Sequence, residues 1–309
     1  MYINELLDVL FFRDIDGLRR FYAALTEKYF PNSEPYPTDA AAYAAEFDAW
    51  LLRQIPSAAE FFARLDDYSA NAEPVLPGVA ARNFGGMSRS GALDALSRGG
   101  SERGRALAEK YRKQTWADVH FEKYVPAVTR GGGLILELGT GAGLGTFAVM
   151  NALNQNGKLI SADVDFACAR NADALAAYLG LPERVCGITA NFWYLPFEDG
   201  VFDTVCTHYG LDESGEIQAT IAETARVLKT GGRFVAVCRA EPQDRYADYF
   251  KLWGVAPTEH REIARRARLF GGIEDLAGTS GALGLQLTRS TAISPPQSHS
   301  RVVAEFTKI

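Results

Sequence analysis

Cysteine and histidine are scarce in this chain, and no set of them has the spacing of a metal site. The 309 residues include four histidines and four cysteines, Cys168, Cys186, Cys206 and Cys238. The cysteines are widely spaced, lie in apolar segments and form no CxxC pair, so we expect buried free thiols rather than a disulfide framework. No carboxylate–histidine cluster falls at ligand spacing either, and we expect no cofactor metal.

The chain also lacks a basic surplus and a long apolar run. Its formal net charge is -6, which argues against nonspecific binding to nucleic acid. No apolar stretch is long enough to cross a membrane, and the acidic, helix-like N-terminus has no signal-peptide pattern. With 47% hydrophobic and 23% charged residues, the composition is typical of a globular protein. We expect it in the cytoplasm, with neither a nucleic-acid nor a membrane partner.

No strand pattern occurs in residues 1–115. Apolar residues recur there at helical spacing, and prolines separate the segments. The helices are predicted over 40–52, 57–65 and 102–116. Because the chain is longer than one average domain, we expect a helical N-terminal domain over 1–115 and a second domain over 116–309.

Strands and helices alternate from residue 116 onward, which is typical of a doubly wound α/β fold with a parallel sheet. Apolar runs predict five strands, at 134–138, 158–162, 184–189, 202–207 and 233–238. The helices predicted around them are 116–128, 144–153, 166–179 and 216–228, with Gly231-Gly232 ending the last. A helical insertion is expected over about 241–282.

Two further strands are predicted at the end of the chain, over 285–292 and 301–307. Only the segment 294–298, SPPQS, separates them, which is too short for the helical crossover that parallel strands require. We therefore expect these two strands to pair antiparallel, so that the parallel sheet ends in an antiparallel hairpin.

The first strand of this region leads directly into a glycine-rich turn. Gly139, Gly141 and Gly143 occupy every second position before the predicted helix. Glycine allows a sharp turn and a close approach of the backbone to a ligand, and a helix N-terminus presents free N–H groups. The sequence therefore predicts a nucleotide-type cradle. Its G-x-G-x-G spacing fits neither the dinucleotide fingerprint nor a P-loop.

With Glu137 two residues before the first glycine, this turn resembles motif I of the class I S-adenosylmethionine-dependent methyltransferases. Three later segments are also similar to that family: NFWYLPF at 191–197, PFEDGVFD at 196–203 and ARVLKTGGRF at 225–234. Asn191 departs from the pattern, because the family usually has an aspartate there. The resemblance extends over residues 116–309 and is to the ubiquinone-type or small-molecule branch.

The resemblance implies a Rossmann-like domain that binds S-adenosyl-L-methionine and releases S-adenosyl-L-homocysteine. It implies that Asp163, at the end of the second strand, accepts hydrogen bonds from the ribose hydroxyls, and that Glu137 orders the turn or reaches the amino group of the cofactor through water. The implied cofactor-binding residues are Glu137, Gly139, Thr140, Gly141, Gly143, Asp163, Val164, Asn191, Phe192 and His208. The plainer alternatives are that the glycines mark only a tight turn, that Asp163 only caps a helix and that Asn191 only forms a turn.

Candidates for removing a proton from the acceptor follow the fourth strand. His208, Tyr209 and Asp212 lie at the carboxyl edge of the predicted sheet, where open α/β folds bind ligands. A histidine there is able to act as a general base near neutral pH. The alternatives are that His208 packs against the methionine part of the cofactor and that Asp212 caps the following helix.

Two regions bear on the substrate. Arg261 and Arg265, together with Arg268, fall on one helical face, which suits a carboxylate or phosphate substrate unless that face is simply solvated. Trp116 and Tyr124 are candidates for contact with the methionine end of the cofactor. The aromatic helices of the N-terminal domain form either a core of their own or a lid over an apolar acceptor pocket, and oligomerisation is a further role for them.

The function expected from the resemblance is methyl transfer from S-adenosyl-L-methionine to an O, N or C atom of a small molecule, by direct displacement in a covered cleft. A peptide or protein acceptor is the first alternative, and a member of the fold that binds the cofactor without methylating is the second. A nicotinamide-dependent dehydrogenase is a distant third. A homodimer is compatible with the sequence.

Overall fold

A computed structural model describes the chain in part. The described residues are 20–21, 24–25, 27–29, 38–54, 57–60, 62–63, 66, 101–112, 118–164, 166–211, 217–240, 254–259, 262–263, 271–293 and 301–309. The chain divides into two compact units, one comprising Met1–Glu73 and Pro242–Leu269, the other Pro74–Glu241 and Phe270–Ile309. In the described ranges no helix has both the length and the apolar character needed to cross a membrane.

The larger unit contains a seven-stranded sheet. Its strands are β1 Leu134–Leu138, β2 Lys158–Asp163, β3 Val185–Thr189, β4 Phe202–His208, β5 Leu228–Arg239, β6 Leu285–Ile293 and β7 Arg301–Lys308. Their order across the sheet is β3-β2-β1-β4-β5-β7-β6. Strands β1 to β5 pair parallel, and β7 lies antiparallel between β5 and β6. The predicted doubly wound α/β sheet with an antiparallel end is therefore confirmed.

Helices cover both faces of this sheet. The described helices are α1 Ala40–Gln54, α2 Ser101–Arg112, α3 Asp118–Thr129, α4 Leu144–Asn151, α5 Phe166–Leu179, α6 Ile217–Val227 and α7 Gly272–Ala282. On one face α3, α4 and α5 bury Tyr124, Val149 and Leu175 completely. On the other face α6 and α7 bury Ile221 and Leu276. Strands covered in this way read as continuous apolar runs in the sequence.

Strand β5 begins earlier than the sequence indicates. The prediction that Gly231-Gly232 ends a helix and that a strand starts at 233 is wrong, because α6 ends at Val227 and β5 starts at Leu228. Leu228 is fully buried and pairs with Phe202 of β4. Gly231 has a φ of 76°, so the glycine pair bends the strand and shifts its register instead of separating two elements.

Aromatic rings pack against one another in the smaller unit. Phe21 stacks on Trp50 with ring centroids 4.4 Å apart, and Tyr43 stacks on Phe47 at 6.2 Å. Tyr29 meets Tyr43 edge-on at 5.8 Å. These contacts are those of a hydrophobic cluster. Helix α2 is grouped with the larger unit, and both the domain boundary at 115 and the lid role stay predictions.

Candidate functional site

The glycine-rich turn folds back onto the end of the neighbouring strand. The backbone N–H groups of Gly139 and Thr140 both donate to the carbonyl oxygen of Ala162 in β2, at 2.8 and 3.2 Å. Gly143 then donates to the carbonyl of Thr140 at 2.8 Å and immediately precedes α4. The turn is therefore anchored across the tips of β1 and β2, at the edge where a doubly wound sheet binds its ligands.

Two of the glycines are needed for steric reasons. Gly139 and Gly143 both have a φ of 93°, a left-handed conformation that glycine adopts without strain. A Cβ atom on Gly139 would lie 3.2 Å from Cα of Gly210, and one on Gly143 would lie 3.0 Å from Cδ1 of Leu175. Gly141 differs, because a Cβ there meets no described atom within 4 Å. This side of the turn is open to a ligand.

Asp163 ends β2 directly beside the turn. The residue is only 9% exposed, and its Oδ2 accepts a hydrogen bond from the N–H of Gly141 at 2.8 Å. This contact holds the acid on the glycine turn, whereas α5 begins only at Phe166. A carboxylate has acceptor sites for about four hydrogen bonds, so the bond to Gly141 does not exhaust its capacity to bind hydroxyl groups.

Side chains from α2 and α5 hold the carbonyl groups of the turn. Nδ2 of Asn171 donates to the carbonyl of Gly141 at 2.8 Å, and the hydroxyl of Tyr111 donates to the carbonyl of Ala142. Burial raises the pKa of Tyr111 to about 12, so its hydroxyl keeps the proton that it donates. The sequence pattern assigns no role to Asn171. Only the structure identifies it, because Asp173 of the same helix is a buried polar residue as well.

Glu137 lies fully buried behind the turn. Its Oε2 accepts hydrogen bonds from Oγ1 of Thr146 and Oγ of Ser161, both at 2.6 Å, and the Ser161 hydroxyl lies 2.7 Å from that of Thr140. Burial raises the pKa of Glu137 to about 7, assisted by the charge of Asp163 and opposed by the two hydroxyl hydrogen bonds. Oε1 has no hydrogen-bond partner among the described residues. Because buried polar atoms normally have one, this oxygen is a candidate contact for a bound group.

His208, at the end of β4, lies in an enclosure of aromatic rings. Its ring centroid is 4.6 Å from that of Tyr209, 5.2 Å from that of Phe121 and 5.6 Å from that of Tyr124. Its Nε2 atom is buried, and a Cβ on Gly145 would approach the Cβ of His208 to 3.1 Å. The histidine therefore packs beneath the start of α4. Both expected roles of His208, as a general base and as a packing surface for the methionine part of the cofactor, stay predictions.

Tyr209 has an unusual backbone conformation. Its φ is 68°, and within the described part of the chain it is the one residue other than glycine with a positive φ. Its N–H donates to the carbonyl of Val237 at 3.0 Å, and the guanidinium carbon of Arg301 lies 4.9 Å from its ring centroid. Bulky residues in this region of φ/ψ space are strained and concentrate at functional sites. Its predicted role in removing a proton from the acceptor stays a prediction.

The segment after β3 forms a turn beside the glycines. Oδ1 of Asn191 accepts a hydrogen bond from the N–H of Trp193 at 2.9 Å, and the N–H of Tyr194 donates to the carbonyl of Asn191 at 3.1 Å. The tip of the Phe192 ring lies 3.8 Å from the position of a Cβ on Gly139. The structure therefore brings Phe192 to the glycine turn and uses the side-chain oxygen of Asn191 to form the local turn.

An arginine from α6 braces this segment. Arg226 donates to the backbone carbonyls of Leu195 and Phe197 at 3.0 and 2.7 Å. It also donates to Glu223 at 2.7 Å, and Glu223 in turn accepts a hydrogen bond from the N–H of Leu195 at 2.7 Å. The bonds to Glu223, and a further one to Asp199, raise the pKa of Arg226. The segments 191–197 and 225–234, which are separate motifs in the sequence, are therefore in direct contact.

The remaining predicted site residues are not all placed. Those outside the described residues are Trp116, Asp212, Arg261 and Arg265. Val164 directly follows Asp163 and is partly buried. Tyr124 is fully buried, and burial, with Cys206 and Glu137 nearby, raises its pKa well above the ordinary value. Its expected contact with the methionine end of the cofactor stays a prediction.

Sequence comparisons relate the chain to methyltransferases. Residues 110–270 match the model of the ubiE/COQ5 methyltransferase family. The demethylmenaquinone methyltransferase of Lactiplantibacillus plantarum is 29% identical over 132 residues, which cover 43% of this chain and 52% of that protein. The ubiquinone/menaquinone biosynthesis C-methyltransferase UbiE of Saccharophagus degradans is 25% identical over 173 residues, 52% of this chain and 70% of that protein. The chain spans about half the length of the demethylmenaquinone methyltransferases that it matches.

A comparison with solved structures agrees with the observed fold. The geranyl diphosphate C-methyltransferase of Streptomyces coelicolor A3(2), in complex with Mg²⁺, geranyl diphosphate and S-adenosyl-L-homocysteine, has a TM-score of 0.50 to this chain. The two are 14% identical, and the alignment covers 77% of this chain and 100% of the other. At this identity the likeness shows the fold alone.

Proposed function

The chain belongs to the ubiE/COQ5 methyltransferase family, and from this membership we propose that it is an S-adenosyl-L-methionine-dependent methyltransferase acting on a small molecule. The observation that carries the proposal is the hydrogen bond from the N–H of Gly141 to Asp163. It brings together the glycine turn after β1 and the acid at the end of β2. In the proposed function, the glycine turn and this acid together recognise the donor nucleoside.

The residues at this edge of the sheet suit the proposed donor. The open side of Gly141 admits a ligand against the backbone of the turn. Asp163 supplies a carboxylate that is able to accept hydrogen bonds from ribose hydroxyls, and Phe192 offers the adenine an apolar surface beside Gly139. The unpartnered Oε1 of Glu137 is a buried acceptor for a water molecule that leads to the amino group of the donor.

The protein contributes mainly orientation and exclusion of water. When bound, S-adenosyl-L-methionine supplies an activated methyl group on its sulfonium, so no strong catalytic base is needed to activate the donor. The backbone of the turn, held by Asn171 and Tyr111, fixes the position of the donor nucleoside. A site that holds both reactants in line lowers the barrier through proximity and the exclusion of water.

We assign the acceptor to the part of the edge that follows β4. Tyr209 has its left-handed backbone there, and Asp212 comes three residues later in the chain. These are the proposed groups beside the acceptor, and either is able to take a proton where an O or N acceptor must lose one. His208, whose Nε2 is buried, is proposed to position Tyr209 rather than to act as the base.

The relatives support one class of acceptor atom within this proposal. The UbiE relative is named as a C-methyltransferase of ubiquinone and menaquinone biosynthesis, which favours a carbon over an oxygen or nitrogen. A cleft covered by the N-terminal helices is a further part of the proposal, and it rests on the aromatic density of that part of the sequence.

Calorimetry and a labelled donor test the proposal. The purified chain is titrated with S-adenosyl-L-homocysteine and, separately, with NAD, and we expect binding of the former alone. It is then incubated with methyl-labelled S-adenosyl-L-methionine and fractionated extract of its own source, and we expect label in a small-molecule fraction. Failure to bind S-adenosyl-L-homocysteine overturns the proposal, and label confined to peptide fractions overturns the choice of acceptor.

A further inference from the structure

Glu137 is a fully buried acid whose two carboxyl oxygens have different surroundings. Oε2 accepts hydrogen bonds from the hydroxyl groups of Thr146 and Ser161, both at 2.6 Å. Oε1 is buried as well and has no hydrogen-bond partner among the described residues. A charge shared with a buried oxygen that nothing solvates is costly, and a proton on Oε1 removes that charge. The surroundings of this side chain therefore favour its protonated form, with the proton on Oε1.

Titratable side chains face Glu137 from three of the described elements packed against it. They are Asp163 of β2, Cys206 and His208 of β4 and Tyr124 of α3. Burial raises the pKa values of Cys206 and Tyr124 well above their ordinary ranges, so both side chains are neutral near pH 7. His208 meets the acid at Gly145 of α4, where a Cβ atom would lie 3.1 Å both from Oε1 of Glu137 and from Cβ of His208. Asp163 and His208 are therefore the described groups whose charge bears on Glu137.

Charge at the glycine turn acts on Glu137. Ser161 connects the two, because its hydroxyl donates to Glu137 and lies 2.7 Å from the hydroxyl of Thr140 in the turn. Asp163 accepts a hydrogen bond from the N–H of Gly141 in the same turn. After burial, which is the larger cause, the negative charge of Asp163 raises the pKa of Glu137. A positive charge bound at the turn acts in the opposite direction, since an opposite charge favours the ionised form of an acid.

We propose that Glu137 lets the donor site distinguish the charged methyl donor from its product. Glu137 holds a proton on Oε1 while no donor is bound, releases it to solvent when S-adenosyl-L-methionine binds, and regains a proton after methyl transfer. The sulfonium of the donor is positive, whereas the thioether of S-adenosyl-L-homocysteine is neutral, so the donor stabilises the ionised acid more than the product does. The inference rests on the proposed function and makes Glu137 a specificity-determining residue of its donor site.

The proton exchanges of Glu137 balance over one reaction cycle. Donor binding sends the proton of Oε1 to solvent, and a proton returns from solvent when the sulfonium charge is lost. The methyl group passes from the sulfur to the acceptor, its former bonding electron pair stays on the sulfur, and Glu137 forms no bond to it. Because coupling between two bound species is reciprocal, a ligand that lowers the pKa of Glu137 binds the ionised form more tightly. Affinity for S-adenosyl-L-methionine therefore rises as pH rises through the pKa of the free protein, about 7.

Calorimetric titration of the full chain at pH 6 and pH 8, without an acceptor, tests the proposal. Wild type and Glu137→Gln, which keeps the size of the side chain but does not titrate, are each titrated with S-adenosyl-L-methionine and, separately, with S-adenosyl-L-homocysteine. The measured quantity is the ratio of the affinity at pH 8 to that at pH 6. For the donor we expect a ratio about tenfold larger in wild type, because the ionised fraction of an acid with a pKa of about 7 rises about tenfold between these pH values. For the product the ratios of the two proteins should agree.

The comparison of these ratios removes other sources of pH dependence. Titration of His208 and of the amino group of the ligand affects wild type and Glu137→Gln alike, so both contributions cancel. The matched control is Glu198→Gln, which alters an exposed acid and should keep the wild-type ratios. A further readout needs no variant, because an acid with a pKa of about 7 is half protonated at pH 7. Donor binding to wild type should release about half a proton there, measured from the heats in two buffers of different ionisation enthalpy, and the infrared C=O stretch of the protonated acid should disappear.

The possible outcomes separate this inference from the proposed function. Equal donor ratios in wild type and Glu137→Gln, or the same pH dependence for donor and product in wild type, overturn the role of Glu137 while the proposed function stands. If Glu137→Gln does not fold, the wild-type readouts decide: proton release together with loss of the acid band supports the role, and the absence of either overturns it. The proposed function itself is overturned if S-adenosyl-L-homocysteine binds wild type at neither pH.

Discussion

The carboxyl edge of the sheet has two halves that are built in different ways. In the half formed by β1 and β2, the glycine turn is held by hydrogen bonds from and to Ala162, Asp163 and Asn171. In the half formed by β4, β5 and β7, ring contacts and a left-handed backbone arrange Tyr209 and Arg301. In the first half side-chain hydrogen bonds hold the turn, whereas in the second half hydrogen bonds hold the backbone and ring contacts arrange the side chains of Tyr209 and Arg301.

Under the proposed function this difference separates two tasks: the first half, called the donor half, holds the methyl donor, and the second, called the acceptor half, holds the acceptor. Hydrogen bonds at 2.6–3.2 Å to buried groups define a narrow range of positions, which suits a donor nucleoside that never varies. Stacked rings and a guanidinium tolerate small displacements, which suits the less rigid placement of an acceptor in the proposed function. We therefore expect substitutions in the first half to cost stability or donor affinity, and substitutions in the second half to change the choice of acceptor.

The largest expected effect concerns Glu137 and pH. The pKa of this buried acid is raised from its ordinary 4.5 to about 7. Between these values the folded protein keeps a proton that the unfolded chain has lost, so the free energy of unfolding falls as pH rises through this window. The fall is about 3 kcal/mol. Glu137→Gln has no titrating group at this position, so its free energy of unfolding should not fall in this window.

Urea unfolding at a series of pH values checks this effect. Relative to wild type, Glu137→Gln should gain about 3 kcal/mol in unfolding free energy between about pH 4.5 and 7. Glu198→Gln, which alters an exposed acid, is the control and should leave the pH dependence unchanged. If the unfolding free energies of wild type and Glu137→Gln change with pH in parallel, burial does not raise the pKa of Glu137, and the contrast between the two halves is weaker.

The second effect concerns Asp163. Asp163→Ala removes an acceptor for the ribose hydroxyls and the partner of the Gly141 N–H. Hydrogen bonds to charged groups contribute roughly 1.5–3 kcal/mol, so affinity for S-adenosyl-L-homocysteine should fall about thirtyfold, or about 2 kcal/mol. Calorimetric titration measures this loss. The control is Asp199→Ala, which removes an 80% exposed side chain and should bind S-adenosyl-L-homocysteine like wild type. Wild-type affinity in Asp163→Ala would show that Asp163 does not bind the ribose.

The third effect concerns the backbone of the turn. Gly139 has a φ of 93°, and the backbone of Gly210 lies 3.2 Å from where a Cβ would stand. Gly139→Ala should therefore lower the free energy of unfolding by roughly 1–2 kcal/mol. Gly278→Ala, at an exposed position in α7 where a Cβ meets no described atom, should raise it by about 0.5–1 kcal/mol. Equal effects at the two glycines would show that the turn is not strained.

The smallest effect is expected in the stacked half. Tyr209→Phe removes one hydroxyl but keeps the ring under Arg301, so the free energy of unfolding should change by no more than about 1 kcal/mol. Affinity for S-adenosyl-L-homocysteine should stay at the wild-type value. Thermal or urea unfolding and a calorimetric titration measure both quantities. A loss of donor affinity as large as that of Asp163→Ala would show that the two halves are not independent.

Local patterns in the sequence account for the donor half of the site. Apolar runs and glycine spacing locate β1, the turn and Asp163, because each depends on residues close together in the chain. The contact of Asn171 with Gly141 spans 30 positions, and the helix buries both Asn171 and Asp173, so its sequence does not single out Asn171. Local sequence patterns therefore predict where the glycine turn lies, but not which distant side chains hold it in place.

The acceptor half depends on contacts between distant parts of the chain. Arg301 reaches Tyr209 only because β7 inserts beside β5, an order that no local pattern specifies. The enclosure of His208 by Phe121 and Tyr124 likewise follows from the packing of α3 on the sheet. At the start of β5, burial of Leu228 prevails over the tendency of Gly231-Gly232 to separate elements.

The position of β7 has a consequence for how the protein is made. Strand β6 has β7 as its one neighbour in the sheet, and β7 is the later of the two in the chain. On a translating ribosome β6 therefore emerges before its partner exists, and β5, which is made earlier, keeps an open side for longer still. Unpaired strand edges bind other chains readily. Until residue 308 leaves the exit tunnel, a nascent copy therefore has unpaired edges on β5 and β6 that are able to bind other chains.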